Sequence, residues 1–537
     1  MRKLAWLLLV LCACKPPDPK APQTWIARLA DPDAKVRIAA VQQLRKLKAK
    51  PAAPQIAQLL RDPLVKEEAA LALQDLGGPA ELPSLLEAVD TTVGAGSDQA
   101  TRVANRTNAK IADALGDIGD PRGGPTLLRL ARSKDDLVRL TAVQSLGQVR
   151  FKDAVPELSH IVDDEAAPPI LIKKAIVALG DIGDPAAIPA LEHGLVLERQ
   201  GVSFLPESSY ALFLLGPAAV GPMLKLAQDE DPQYLAWAKE NNRAAAGTYA
   251  KAALVLGDLE DPRAIPVLLA RLKYSDNDPN PGTAHLLSNL VRQFAASALG
   301  RLRAKEAAAP ILALVQTKDP QDEDLVTSAT EALVWIGEPI TAKELAKRAQ
   351  AGAVRLRLLA AQGAALYGEP PLAKELLAIA AKEAKGSAAG CQQKLAELQL
   401  PTADAGSACE LLATQFGALA DRPFLAAQKC AGVPACWAQS LGDKDAIVRA
   451  RAAYELGRGG VASAVPALGK AAADDSLLVR VAAIRALDWL AQVPAAKPLL
   501  QTLAPQLAAQ LEAEQGRVQT VRVNEELRRL HTRLARL

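Results

Sequence analysis

Aromatic side chains are scarce: Phe, Trp and Tyr make up 3% of the 537 residues, and Met occurs twice. Sheets draw on aromatic and β-branched residues, so this scarcity, beside abundant Ala and Leu, excludes a β architecture and favours closely packed helices. Histidine is rare as well: His160, His193, His285 and His531 stand far apart, and none sits in an H-E-x-x-H pattern. No G-x-S-x-G, Walker, dinucleotide or C-x-x-C-H motif occurs in a fitting context. The sequence therefore offers no catalytic residue, no cofactor and no metal. An excess of one charge is missing too: 63 Lys and Arg against 60 Asp and Glu leave no basic footprint for nucleic acid. Beyond the first dozen residues there is no apolar run of about 18, the least a membrane-spanning helix needs.

What is present is a stretch and its copies. Leu254–Leu272 reads LVLGDLEDPRAIPVLLARL, and the same grammar returns at Ala114–Leu130 and Ala178–Leu191. Ala250, Ala253, Leu254 and Gly257 fall on one face of a helix, and Gly257 is expected to end it, because Gly takes left-handed angles cheaply. Asp261-Pro262 then turns the chain, and a second helix starts near Ala264 with Pro266 in its first turn. Each helix has an apolar stripe too small to fold alone, so such hairpins must stack on one another.

Gly77, Gly116, Gly147, Gly180, Gly216, Gly257, Gly300, Gly337 and Gly368 recur at intervals of 31 to 43 residues, the range of helical-hairpin arrays. Turns between repeats are short and uniform. Turns inside repeats are long and varied: Asp90–Val103, Glu198–Ser208, Asp229–Ala245, Lys273–Ala284 and Thr317–Leu325. In a solenoid those inner turns share one rim, and variation confined to one rim points to a recognition edge. Tyr234, Trp237 and Tyr274 lie on it and are expected as exposed aromatic anchors, against the plainer alternative that they pack under their own loops. Asp276-Asn277-Asp278-Pro279-Asn280 departs from a calcium loop, with Gly282 one place late and Leu287 in the place of the final Glu.

Val36-Arg37, Val138-Arg139, Val448-Arg449 and Val479-Arg480 open equivalent helices. With the D-P-R-A-I-P turn, these resemble HEAT repeats, most closely the phycobilisome-lyase-like subgroup, over about Thr24–Ala504. The resemblance implies an all-α, right-handed alpha-alpha superhelix (HEAT/ARM-type solenoid) of about a dozen hairpins. It also implies an Asp–Arg ladder between neighbouring repeats, here Asp135 or Asp136 with Arg139, Asp445 with Arg449, and Asp475 with Arg480. Val65-Lys66 departs from the pattern, and the middle repeats lack the Val-Arg pair, which puts the ladder there in doubt.

The N-terminus reads as a targeting segment: Arg2 and Lys3, then apolar Leu4–Leu11, too short to span a bilayer. Leu11-Cys12-Ala13-Cys14 resembles the bacterial lipobox, which implies lipidation at Cys14. Residues 1–13 are then a signal peptide and 14–23 a lipidated Cys with a Pro-rich stalk. Residues 24–385 form the repeat array, and 386–437 a degenerate segment carrying Cys391, Cys409, Cys430 and Cys436. Residues 438–511 are further repeats, and 512–537 a capping helix. An even cysteine count in an exported chain implies disulfides; of the three pairings possible, Cys430–Cys436 with Cys391–Cys409 joins nearest neighbours. The last helix, with Asn524 as its expected N-cap, covers the final repeat, the other readings being a dimer seam or a contact with anionic lipid.

These features describe a lipid-anchored cell-envelope scaffold, on the periplasmic face of the outer membrane, with membrane contact through the lipid only. It binds protein partners through the concave face of the second helices and the long-loop rim, without catalysis. The alternatives are a lyase or chaperone for a tetrapyrrole-like cofactor, implied by the subgroup resemblance, and a structural envelope spacer. No motif identifies the partner or the oligomeric state.

Overall fold

The computed structural model describes residues 18, 20–90, 96, 98–317, 319–349, 354–372, 375, 422–514 and 521–536. It forms two compact units, Met1–Ala219 and Val220–Leu537. Both are built from long helices alternating with short ones. The long helices of the first unit are α1 (Ala34–Lys46), α2 (Lys66–Leu76), α3 (Gln99–Ile118), α4 (Asp136–Gln148), α5 (Pro169–Ile182) and α6 (Leu205–Leu215). Those of the second are α7 (Ala245–Leu259), α8 (Pro281–Arg301), α9 (Glu323–Ile336), α10 (Val354–Tyr367), α11 (Ala446–Arg458), α12 (Leu477–Leu490) and α13 (Val521–Leu534). Among the described residues the only sheet is a hairpin, Glu198–Arg199 with Val202–Ser203, inside one of the varied rim turns.

The repeated turn works through its aspartate. Asp120, Asp184 and Asp261 each accept from the backbone N–H two residues on, at 2.9 Å, and cap a short 3-10 turn that opens on Pro. Proline is harmless there because the first turn needs no N–H donor.

Gly257 does not end its helix. It lies inside α7, and the left-handed residue is Glu260, φ 53°; in the sister copies it is Gly119, φ 71°, and Gly183, φ 70°. Gly77, Gly216 and Gly337 do end their helices, whereas the glycines that lie inside a helix let neighbouring long helices nest. A Cβ at Gly147 would lie 2.7 Å from Cα of Ala178, and one at Gly257 would lie 2.8 Å from Cα of Ala298. Gly180 meets Ala211, Gly300 meets Ala332 and Gly457 meets Ala486 in the same way. The long helices thus stack backbone to backbone, while Leu, Ile and Val on their other faces pack against the short helices, as Leu115 and Leu127 do, both fully buried.

The end of the chain departs from expectation. Asn524 is not an N-cap: α13 begins at Val521, so Asn524 lies within it, and Val523, Leu527, Leu530 and Leu534 are buried. Gln23 already belongs to the helix Pro22–Ile26.

Candidate protein-interaction surfaces

The ladder between repeats exists, but its rungs run forward. Arg37 Nε donates to Asp62 at 3.0 Å, and Arg449 Nε donates to Asp474 at 2.8 Å. Asp445 is reached by Arg422 at 2.5 Å instead of by Arg449, and Asp475 offers Arg480 only its backbone oxygen, at 3.1 Å. A helical side chain lies over the turn before its own Cα, so each arginine ties its own turn's carbonyls to the next repeat's Asp. Asparagine replaces it at two rungs: Asn105 donates to Asp135 at 3.1 Å, in the place expected for Arg139, and Asn289 donates to Asp322 at 2.5 Å. The second of these carries the ladder into the middle, where no Val-Arg pair marks it. Asp136 stays exposed in the first turn of α4.

The first unit leaves a side-chain face open on its long helices. Arg106, Asp117, Gln144, Gln148, Val177 and Asp181 are exposed in rows along α3, α4 and α5, and Leu137 and Ile170 are 51% and 54% exposed. Polar bridges link the rows: Lys110 to Glu67 at 3.0 Å, Lys174 to Gln144 at 2.7 Å, and Gln148 to Asp117 at 3.2 Å. Burial, and then the neighbouring Asp117, raise the Asp113 carboxyl above the ordinary range.

The corresponding region of the second unit is filled by its own residues. Asp258, Glu260, Arg301, Arg485, Asp488, Glu526, Arg529 and Arg533 form a buried cluster of four acids and four arginines. Arg485, 2% exposed, reaches Asp488 at 3.1 Å, Glu526 at 2.7 Å and Glu260 at 3.4 Å, and lies over the Trp335 ring at 4.8 Å. Arg301 pairs with Glu526 and Arg529 with Asp258, which joins α13 to α7 and α8. Burial and the charge of Asp488 hold the Glu260 carboxyl up at about 8. Burial would raise Glu526 as well, but Arg301, Arg485 and Arg529 outweigh it and hold that carboxyl well below its usual range. The long-helix face expected to bind partners is therefore occupied here by α13. Beside the cluster an apolar hollow of about 270 Å³ remains, lined by Thr330, Val334, Leu359, Leu366, Tyr454 and Leu477.

The rim aromatics are less exposed than expected. Tyr234 is 3% exposed, and its hydroxyl lies 2.9 Å from that of Thr248. Trp237 is half-buried, its ring 5.6 Å from that of Tyr234. Tyr274 packs edge-on against Tyr249 at 5.4 Å and donates to Asp276 at 2.7 Å. Tyr234 and Trp237 lie on a helix of their own, Pro232–Glu240, inside the long turn, and flat rings there find cover against neighbouring helices more readily than in solvent. The Asp276–Asn280 run spends its side-chain oxygens on the backbone: Asp276, Asp278 and Asn280 each accept from the N–H two residues on, at 2.8 to 2.9 Å. On the same rim His285, Asp319 and Asp322 converge, with ligand atoms all within 4.8 Å. Sequence reasoning missed this group because its members lie 34 and 37 residues apart in successive repeats.

Cys430 and Cys436 are bonded, with sulfurs 2.00 Å apart, between the helices Arg422–Cys430 and Pro434–Ser440. Cys14, Cys391 and Cys409 lie outside the described residues. No described helix is long and apolar enough to cross a membrane.

Stacked hairpins with capped turns and a side-chain ladder define an α-helical solenoid protein. Residues 22–103, 104–171, 125–202 and 435–511 match the family model for HEAT repeats, and 249–274 and 291–317 that for the PBS lyase HEAT-like repeat. The chain carries HEAT repeats in both units. No curated protein matches it. Among solved structures it is similar to importin beta in an ammonium sulfate condition, at 13% identity and a TM-score of 0.44, covering 96% of this chain and 67% of that one. Yeast importin-beta (Kap95p) gives 12%, 0.43, 96% and 76% for the same four quantities, and human deoxyhypusine hydroxylase 20%, 0.21, 55% and 98%.

Proposed function

We propose that this protein is a lipid-anchored scaffold of the cell envelope, held through Cys14 on the periplasmic face of the outer membrane. It binds protein partners through the long-helix face of its first unit and the varied rim. The observation that carries the reading is the open face of α3, α4 and α5. Charged, amide and aliphatic side chains alternate there, with Leu137 and Ile170 beside it. Such a mixture suits a protein partner, which brings both apolar anchors and hydrogen-bonding groups.

Photo-crosslinkers at Gln144 and Val177, in cells, test it. They are expected to capture a defined protein that a crosslinker at Gln55, on a short helix, does not. Equal capture at all three sites, or none, would leave the structural spacer as the better description. Replacing Cys14 with Ser is expected to abolish fatty-acid labelling and release the protein from membranes.

The apolar hollow of the second unit supports a second reading, a chaperone or lyase for a tetrapyrrole-like cofactor. That reading expects a haem or bilin titration to shift the ligand's absorption and the protein's melting temperature. A silent titration removes it.

A further inference from the structure

We infer that the rim between α8 and α9 is a binding site for a divalent first-row metal ion of the zinc type, held by His285, Asp319 and Asp322. His285 lies in the second turn of α8; Asp319 caps, and Asp322 ends, the 3-10 turn Pro320–Asp322 that opens α9. His285 Nε2 is 2.8 Å from Asp322 Oδ1 and 4.0 Å from Asp319 Oδ2. A tetrahedral ion with bonds of about 2.0 Å needs ligand atoms roughly 3.3 Å apart, between those two distances. One imidazole and two carboxylates suit a borderline cation, with a water in the remaining position. Calcium, which takes about 6–8 oxygens, would find too few here.

The ladder supplies an independent argument, because it fixes what structure alone requires at this place. The rung needs one donor on one aspartate, as Asn105 on Asp135 demonstrates. Here Asn289 already makes the rung to Asp322. His285, one helical turn earlier, is an added ring on the same carboxylate oxygen; the matching positions before Asn105, Arg37 and Arg449 hold Thr101, Asp33 and Asp445. Asp322 is 6% exposed and Asn289 8%. Asp322 is held on its far oxygen by the Thr317 hydroxyl at 2.5 Å, so two neutral donors orient it, as outer-sphere groups orient metal ligands. The Asp319 side chain is 46% exposed, which leaves an entry path and room for the water. A bound ion would fasten the start of α8, just after the loop Lys273–Ala284, to the turn that opens α9, two neighbouring members of the varied rim, whatever partner that rim meets.

The test is a Co²⁺ titration of the full chain after chelator treatment, read by the visible absorption of tetrahedral Co²⁺ and competed with Zn²⁺. The expectation is saturable binding of a single equivalent, displaced by Zn²⁺ and weakened more than about tenfold in both Asp319→Asn and His285→Gln. Asp135→Asn, on the rung that lacks a histidine, is expected to leave it unchanged. Helical circular dichroism of the metal-free variants confirms folding; Asp319 is exposed and makes no ladder rung, so its variant keeps the test valid. Absence of saturable binding overturns the inference, and so does binding of equal strength in both variants, which would place the ion on other residues.

Discussion

The motif GDIGDP in the first unit and its copy GDLEDP in the second share one backbone path and come to opposite ends. At Ala178–Leu191 the first aspartate, Asp181, is exposed and the left-handed position is Gly183. At Leu254–Leu272 the aspartate, Asp258, is 0% exposed and the left-handed position is Glu260. A left-handed backbone costs a residue other than glycine about 1 kcal/mol or more. Lys48 and Arg150 take the same conformation while exposed, whereas the Glu260 carboxylate turns inward, 3.4 Å from Arg485 and 3.1 Å from Arg533. The same turn therefore leaves one unit's long helices open to solvent and locks the other's onto α13.

Removing a cation from the buried cluster breaks this contrast most severely. Arg485→Met is expected to destabilise the second unit by about 3–5 kcal/mol, since it removes the one arginine that bridges Glu526, Asp488 and Glu260 and leaves the buried acids short of a cation. Denaturant unfolding followed by the fluorescence of Trp335 and Trp489 measures it. Asp117→Asn, the first-unit counterpart of a change at Asp258, is expected to fall within about 0.5 kcal/mol.

The nesting of glycine on alanine, by contrast, is common to both units. Gly147→Ala and Gly257→Ala are each expected to cost about 1–3 kcal/mol, because the new methyl meets backbone that has no room to yield. Gly221→Ala, with nothing within 4 Å of the added atom, is expected to be neutral or stabilising. Equal costs at all three would refute nesting as the glycines' role.

The comparison is also sharpened through pH. Glu260 titrates at about 8 when folded against 4.5 unfolded, so its stabilising contribution is complete below 4.5 and fades as the pH rises through about 8. Glu526 has the opposite sign: its carboxyl is depressed, so its contribution is present above 4.5 and is lost as the medium becomes more acidic. Glu260→Gln is expected to flatten the alkaline decline in denaturation midpoint between about pH 5 and about pH 9 and to leave the acid limb in place.

The hairpin grammar, the capped turns and much of the ladder could be read from the chain, because each is set by residues a few places apart. The rungs at Asn105 and Asn289 escaped, since asparagine gives the same amide donor without the Val-Arg signature. At Tyr234 the packed alternative holds: sequence places the ring in a long turn, but only the fold brings Thr248 to its hydroxyl. The charge cluster was least legible of all. Arg301 and Glu526 are separated by 225 residues, and no local pattern announces that meeting. The exchange of glycine for glutamate inside GDLEDP was its one visible trace.

That long-range meeting has a bearing on how such a chain can change length. Among the described residues of the first unit the ion pairs stay within a hairpin or join it to its neighbour, so duplicating one would ask for no new chemistry. In the second, an added hairpin between α8 and α12 would carry Arg485 and Glu526 away from Arg301 and Glu260, stranding charge on both sides. One half of the molecule is free to grow by copying, while the other has its number of repeats fixed by electrostatics.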